Sequence, residues 1–143
     1  MADDKNVITV NIVTPAGLVY DHKASIIIAE AVDGSLGIMA NHEPIIAPLK
    51  ISELRVKRVD NPNHENAIAV NGGFLEFSNN VVSIVADSAE RARDIDLRRA
   101  EYARQKAEEN IEKAVETKDK DTEQRARVAL ARAVNRINVS NHK

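Results

Sequence analysis

An α+β chain, with an N-terminal antiparallel β-sandwich followed by a C-terminal antiparallel two-helix hairpin, is the fold class the sequence predicts, on three observations. Residues 7–86 consist of short runs of Val, Ile and Thr broken by Gly, Pro and Asn. Beyond Asp94-Ile95-Asp96-Leu97-Arg98-Arg99-Ala100 the composition turns to Ala, Glu, Lys, Arg and Gln, with neither Gly nor Pro. The apolar period changes at the same junction, from two residues to about 3.6. These changes divide the chain into a β domain at 1–89 and a helical unit at 90–143.

The first strand is read from Ile8, Val10 and Ile12 alternating with Thr9 and Asn11, the period of a half-buried strand. Thr14-Pro15-Ala16-Gly17 turns the chain, Leu18 to Tyr20 forms a short strand, and Ala24 to Ala31 a longer one. Asp33-Gly34 predicts a tight hairpin, because residues with positive φ are wanted at its centre, and Ser35 to Met39 returns as its partner. Ala40 to Pro44 reads as an ordered loop. Pro44 and Pro48 argue against a central strand after it. Ser52–Val59, Asn66–Val70, Phe74–Ser78 and Val81–Ala86 complete eight to ten short strands, with turns at sandwich-like spacing.

The helical half opens at Asp94, which suits an N-cap, with Asp96 in the first turn against the positive end of the dipole. Ala100, Ala103, Ala107, Ile111 and Ala114 make one apolar stripe; Ala126, Leu130, Ala133 and Ile137 make another. Thr117 to Asp121 is the turn between them, so the helices pair antiparallel. Because the stripes are mostly alanine, each side chain buries little area, and the hairpin is closely packed but weakly held.

Composition excludes several function classes. The chain has 143 residues and a net charge of −2, so nucleic acid is not the expected partner. It has no cysteine, which removes disulfides and thiolate metal sites and fits a reducing compartment. No signal-peptide pattern or membrane-length apolar run is present, which predicts a soluble, cytosolic protein. Catalytic patterns are missing too: there is no phosphate-binding Gly-rich loop, no His-Glu-x-x-His pair, and His22, His42, His64 and His142 lack ligand spacing. A catalytic site and a metal site are therefore not expected.

One constellation remains. Asp96, Arg99 and Ala100 share a helix face, Arg132 and Arg136 share another, and antiparallel pairing brings the two together. Three guanidiniums beside a small residue suit a triphosphate, with Glu90 and Asp96 placed to accept from an amino group or a ribose. On spacing alone the same residues also fit a helix-start ion pair and a solvated basic face near a helix C-terminus.

Several stretches together resemble the epsilon subunit family of bacterial F-type ATP synthases: Val13-Thr14-Pro15-Ala16-Gly17, Gly34-Ser35-Leu36-Gly37-Ile38 with His42 and Pro44, Gly72-Gly73-Phe74-Leu75-Glu76, and Ala89-Glu90-Arg91-Ala92 leading into Asp94 to Ala100. The resemblance runs in one order over nearly the whole chain. It implies a non-catalytic subunit of the rotating central stalk, peripheral on the cytoplasmic face of the membrane. Its sandwich would dock on the gamma subunit and the c-ring, coupling proton flow to rotation. By position, Asp33, Gly34 and Ser35 in the hairpin and His42 in the next loop would face those partners. The helices would inhibit ATP hydrolysis by extending into the alpha/beta catalytic head.

Some members bind ATP through an Ile/Leu-Asp-x-x-Arg-Ala motif, matched by Ile95 to Ala100, with arginines corresponding to Arg132 and Arg136. This implies ATP as a regulatory ligand, with no cofactor required, held by Glu90, Asp96, Arg99, Ala100, Arg132 and Arg136. A further family arginine on the first helix is replaced by Lys106, a point charge without the guanidinium fork. Two other classes stay open: a free-standing nucleotide-sensing module, and a helical structural adaptor.

Overall fold

The computed structural model describes residues 6–143. Seven strands, β1 (Ile8–Thr14), β2 (Gly17–Ala31), β3 (Gly34–Met39), β4 (Ile45–Arg58), β5 (Glu65–Ser78), β6 (Val81–Ala86) and β7 (Ala89–Arg91), precede a 3-10 turn at Ala92–Asp94. Helices α1 (Leu97–Glu116) and α2 (Lys120–Ser140) follow. The strand order is β1-β6-β5-β4-β2-β3, β1 also pairs with β2, and β7 pairs with β5. Strands β1, β6, β5, β4 and β2 thus close a ring. All pairings are antiparallel except β1 with β6, which run parallel.

Three long strands take in five of the expected short ones, and β4 also takes in Ile45–Leu49, where the prolines argued against a central strand. Leu18–Tyr20 with Ala24–Ala31, Ile45–Leu49 with Ser52–Val59, and Asn66–Val70 with Phe74–Ser78 are continuous as β2, β4 and β5. Asp21–Lys23, the expected break in β2, pair regularly with β1, and the irregularity of that strand lies further on. Registry shifts between Ile28 and Ala31 in β2, and Gly72 and Gly73 of β5 have φ of 85° and 128°. Bends at matching levels let each long strand leave one layer of the sandwich and enter the other. Pro48 therefore lies within β4, contrary to expectation; the missing donor falls beside the β2 bulge, and its carbonyl still accepts from Val32 N–H at 2.9 Å. The hairpin turn is also shifted by one residue. Ala31 pairs with Gly34, so Val32 and Asp33 form the turn and Gly34, at φ 135°, starts β3.

The core between the layers is aliphatic: Ile8, Val10, Ile12, Ile27, Ile38, Leu54, Val56, Ile68, Leu75 and Ile84 are all essentially inaccessible, with Tyr20 and Phe77 the two large aromatics. Tyr20 donates its hydroxyl to Asn66 Oδ1 at 2.8 Å. Burial pushes its pKa from 10.0 up to about 12, with Arg58 and Arg91 partly opposing. Folding thus disfavours the phenolate. The stability Tyr20 contributes is complete below pH 10 and is lost as pH rises toward 12, a loss of roughly 2–3 kcal/mol at about 1.4 kcal/mol per unit. Thermal melts from pH 9 to 12 are expected to show a steep alkaline decline that Tyr20→Phe flattens; an unchanged slope would contradict this.

A second, smaller cluster joins the halves. Ala67 and Ala69 of β5 pack with Ala92, Ile95 and Val139. Asn135 Nδ2 donates to the Ser52 carbonyl at 2.9 Å, and His142 Nδ1 lies 2.5 Å from Glu53 Oε2. The helical hairpin is thereby docked on β4 and β5 through α2.

Candidate functional site

The helix pair is built on buried Ala100, Ala107 and Ala114 facing Ala126 and Ala133, a seven-residue repeat that allows close approach of the two axes. The turn is shorter than expected, because Asp119 caps α2 by accepting from Thr122 N–H at 3.1 Å. The start of α1 also differs. Asp96, rather than Asp94, is the N-cap, accepting from Arg99 N–H at 3.2 Å. The reason is Ile95, which is 4% exposed and adopts an extended conformation (φ −76°, ψ 124°) to reach the Ala67–Val139 cluster. Regular helix cannot begin until that side chain has been buried.

At the open end of the hairpin Glu90, Asp94, Asp96, Arg99, Ala100, Ala103 and Arg136 border a cavity of about 360 Å³. Three elements meet there: β7 supplies Glu90, the start of α1 supplies Asp96 and Arg99, and the end of α2 supplies Arg136. Arg136 Nε donates to Glu90 Oε1 at 2.7 Å, with both side chains partly covered. Asp96 and Arg99 are exposed, while Ala100 is buried. Arg132 is not in the wall; its Nε is buried and has no hydrogen-bond partner among the described residues. It sits one turn, about 6 Å, deeper along α2. Lys106 is exposed and also outside the wall. Asp94 and Ala103 are wall residues that the sequence reading did not assign to the site.

The wall's chemistry is divided. Two guanidiniums suit phosphate oxygens, and three carboxylates suit amino or hydroxyl donors. Among the described residues no group of three or more His, Asp or Glu is placed to hold a metal ion, and no helix is long and apolar enough to cross a membrane.

The expected partner-facing residues lie at the sandwich surface. Asp33, Gly34 and Ser35 are exposed, and the Ser35 hydroxyl donates to the Glu30 carboxylate at 2.8 Å. His42 is half-buried, edge-on to Phe77 with ring centroids 5.8 Å apart. Asn41, at φ 69°, donates its N–H to Asn80 Oδ1 at 2.8 Å and so fastens this loop to the β5–β6 turn.

Cross-strand register reveals a surface that sequence reasoning missed. Pro48 pairs with Phe74, Phe74 with Val85, Val85 with Val13, and Val13 with Leu18. All five are exposed, so they form one apolar row across β4, β5, β6, β1 and β2, extended along β4 by Ile46. The Val32 N–H bond to Pro48 ties the hairpin turn to one end of this row. The readable signal was phase: Phe74 and Val85 are apolar on strands whose buried positions are Leu75, Phe77, Val82 and Ile84.

Comparison with known proteins is consistent along the chain. Residues 7–92 match the family profile described as ATP synthase, Delta/Epsilon chain, beta-sandwich domain, and residues 93–141 match the ATP synthase, Delta/Epsilon chain, long alpha-helix domain. Similar relatives include the ATP synthase epsilon chain of Latilactobacillus sakei, 62% identical over 142 residues and covering 99% of this chain and 98% of the relative. That of Lacticaseibacillus casei is 60% identical over 139 residues, covering 97% of each. That of Levilactobacillus brevis is 58% identical over 142 residues, covering 99% of this chain and all of the relative (100%). A chain of the Euglena gracilis mitochondrial ATP synthase OSCP/F1/c-ring assembly shares the fold, with TM-score 0.75 at 18% identity over 94% of this chain and 81% of that one.

Proposed function

The chain belongs to the ATP synthase delta/epsilon family, and from that membership we propose that it is a non-catalytic central-stalk subunit of a bacterial F-type ATP synthase, coupling proton translocation to rotation and restraining ATP hydrolysis through its helical hairpin in an ATP-sensitive way. It acts at the cytoplasmic face of the membrane, held there through the complex. The sandwich docks on the gamma subunit and the c-ring. The apolar row from Pro48 to Leu18 supports this part of the reading, since a contiguous exposed apolar row of that kind marks a surface that a partner covers. Asp33, Gly34 and Ser35, which share a surface depression with Ile46 and Pro48 of the row, face the ring, as does His42 beyond the other end of β3.

The observation that carries the regulatory part is the composition of the 360 Å³ cavity wall, which exists only while β7, α1 and α2 are together. ATP binds there in the closed hairpin, phosphates toward Arg99 and Arg136, base or ribose toward Glu90 and Asp96, and Ala100 leaving room. Carboxylates outnumber guanidiniums in the wall, so tight binding also draws in Arg132, whose Nε lacks a partner. A ligand selective for the docked form stabilises it by RT ln(1 + [L]/Kd), about 2.7 kcal/mol at one hundred times Kd. High ATP keeps the hairpin folded, and low ATP releases it toward the alpha/beta head to block hydrolysis.

Calorimetric titration of ATP and ADP into the full chain tests this reading. Saturable ATP binding is expected, weakened at least about tenfold in Arg136→Ala, as fits loss of a charged hydrogen-bonding group. Binding with unchanged affinity in that variant would place the nucleotide elsewhere. No heat at millimolar ATP would leave the stalk position standing and confine regulation to contacts with the catalytic head.

A further inference from the structure

A second cleft, sharing no wall residue with the Arg136 cavity, lies beside the segment that enters the helices, and every titratable side chain in its wall is basic. Arg58 and His64 flank the β4–β5 turn, Arg91 and Arg93 belong to the segment entering the helices, and His142 and Lys143 follow α2. They enclose about 160 Å³ together with neutral Asn61, Asn66, Ala67 and Ala92, and no Asp or Glu side chain lines the space. Asp60 pairs with Arg58 and Glu53 with His142 from outside the cleft, which leaves Arg91, Arg93 and Lys143 without an ion pair among the described residues; their mutual repulsion favours a bound anion.

Two of the cations are held in place from outside the cleft. Arg58 Nε donates to Asp60 Oδ1 at 2.8 Å. The Arg91 guanidinium lies 5.4 Å from the Tyr20 ring centroid, fixed by the aromatic face. Burial, and then the neighbouring charge of Arg93, push the Arg91 pKa down, consistent with a guanidinium crowded by a like charge. Asn66 is oriented by the Tyr20 hydroxyl.

We propose that this cleft is an oxyanion site that takes a phosphate group, bound between Arg58, Arg91, Arg93 and Lys143. Its volume is less than half that of the Arg136 cavity, which suits an isolated phosphate rather than a nucleoside triphosphate. The anion bridges the β4–β5 turn, the linker into α1 and the end of α2, so occupancy fastens the hairpin to the sandwich at a point separate from the ATP cavity. Free phosphate and the headgroup of an anionic phospholipid present the same chemistry.

The test is an amide chemical-shift titration of the full chain with inorganic phosphate, ionic strength being held constant with chloride. The double variant Arg93→Ala/Lys143→Ala is the comparison, and both residues are exposed, so the fold is kept. Saturable shifts confined to residues 58–66, 91–93 and 140–143, weakened at least about tenfold in the double variant and unaltered in Arg136→Ala, are expected for free phosphate. Silence toward phosphate, with sedimentation on phosphatidic acid vesicles that the double variant loses, assigns the site to a lipid headgroup instead. Linear, unsaturated shifts with no vesicle binding, or binding indifferent to the double variant, overturn the site.

Discussion

Gly73→Ala is expected to remove a large part of the stability of the sandwich. A Cβ on Gly73 would lie 2.1 Å from the Val85 carbonyl oxygen and 2.7 Å from the Ala86 Cα, both backbone atoms of the paired strand β6, which cannot rotate away. The residue also sits at φ 128°, a region L side chains rarely adopt. Strain of about 1–3 kcal/mol and steric displacement of similar size combine to roughly 3–5 kcal/mol, against a total of about 5–15 kcal/mol for a domain. The Tm is expected to fall by more than about 10 °C. Phe74 and Val85 also lose their register in the apolar row, so the docking proposed for that row is expected to weaken with it. A variant melting within a few degrees of the parent would show that β5 and β6 do not approach this closely.

Phe77→Ala is the second large effect. Phe77 is 1% exposed and is one of only two aromatic side chains in the main core, so few neighbours are able to fill the space it leaves. Truncation of a buried Phe costs about 3–5 kcal/mol, from lost transfer energy and the residual cavity. The urea midpoint is expected to drop with an unchanged m-value, since the surface exposed on unfolding stays the same. The ring also supports His42, 5.8 Å away, so the Ala40–Pro44 loop should lose amide protection first in hydrogen exchange. A normal midpoint would mean that the core repacks around the gap.

Local signals carried the division into two units, the strand-rich first half and the alanine seam, because each depends on periodicities within one element. The strand count did not follow. Gly72, Gly73 and Pro48 are breakers by propensity, yet here they mark bends inside continuous strands, a choice made by the partner strands and invisible in a window of ten residues. The position of the helix cap turned on burial of Ile95 against β5, a tertiary demand that outweighs the capping preference of Asp94. For the candidate cavity, helix spacing identified Asp96, Arg99, Ala100 and Arg136 as residues that meet, and Glu90 joins them across β7. Arg132 shares the helix face of Arg136 but lies a turn deeper; spacing gives that offset, but not that the cavity stops at Arg136, which is set by where β7 and the start of α1 meet α2. The basic cleft was illegible for a different reason. Its four cations, Arg58, Arg91, Arg93 and Lys143, come from three distant stretches, none of which is a basic run.

The closed ring of strands sets an order of events on folding. Its last pairing joins Thr9 to Val81 and Val13 to Val85, so the first strand has no permanent neighbour on that side until nearly the whole domain has been synthesised. Closing so long a loop has a large entropic cost before any contact offsets it, which makes β1–β6 association the slow step. The two helices are neighbours in sequence and meet through a three-residue connection, so they form within microseconds to milliseconds of becoming available. Their dock, however, is β4 and β5. The helical pair is therefore ready before its platform and waits, as an exposed amphipathic pair, for the ring to shut.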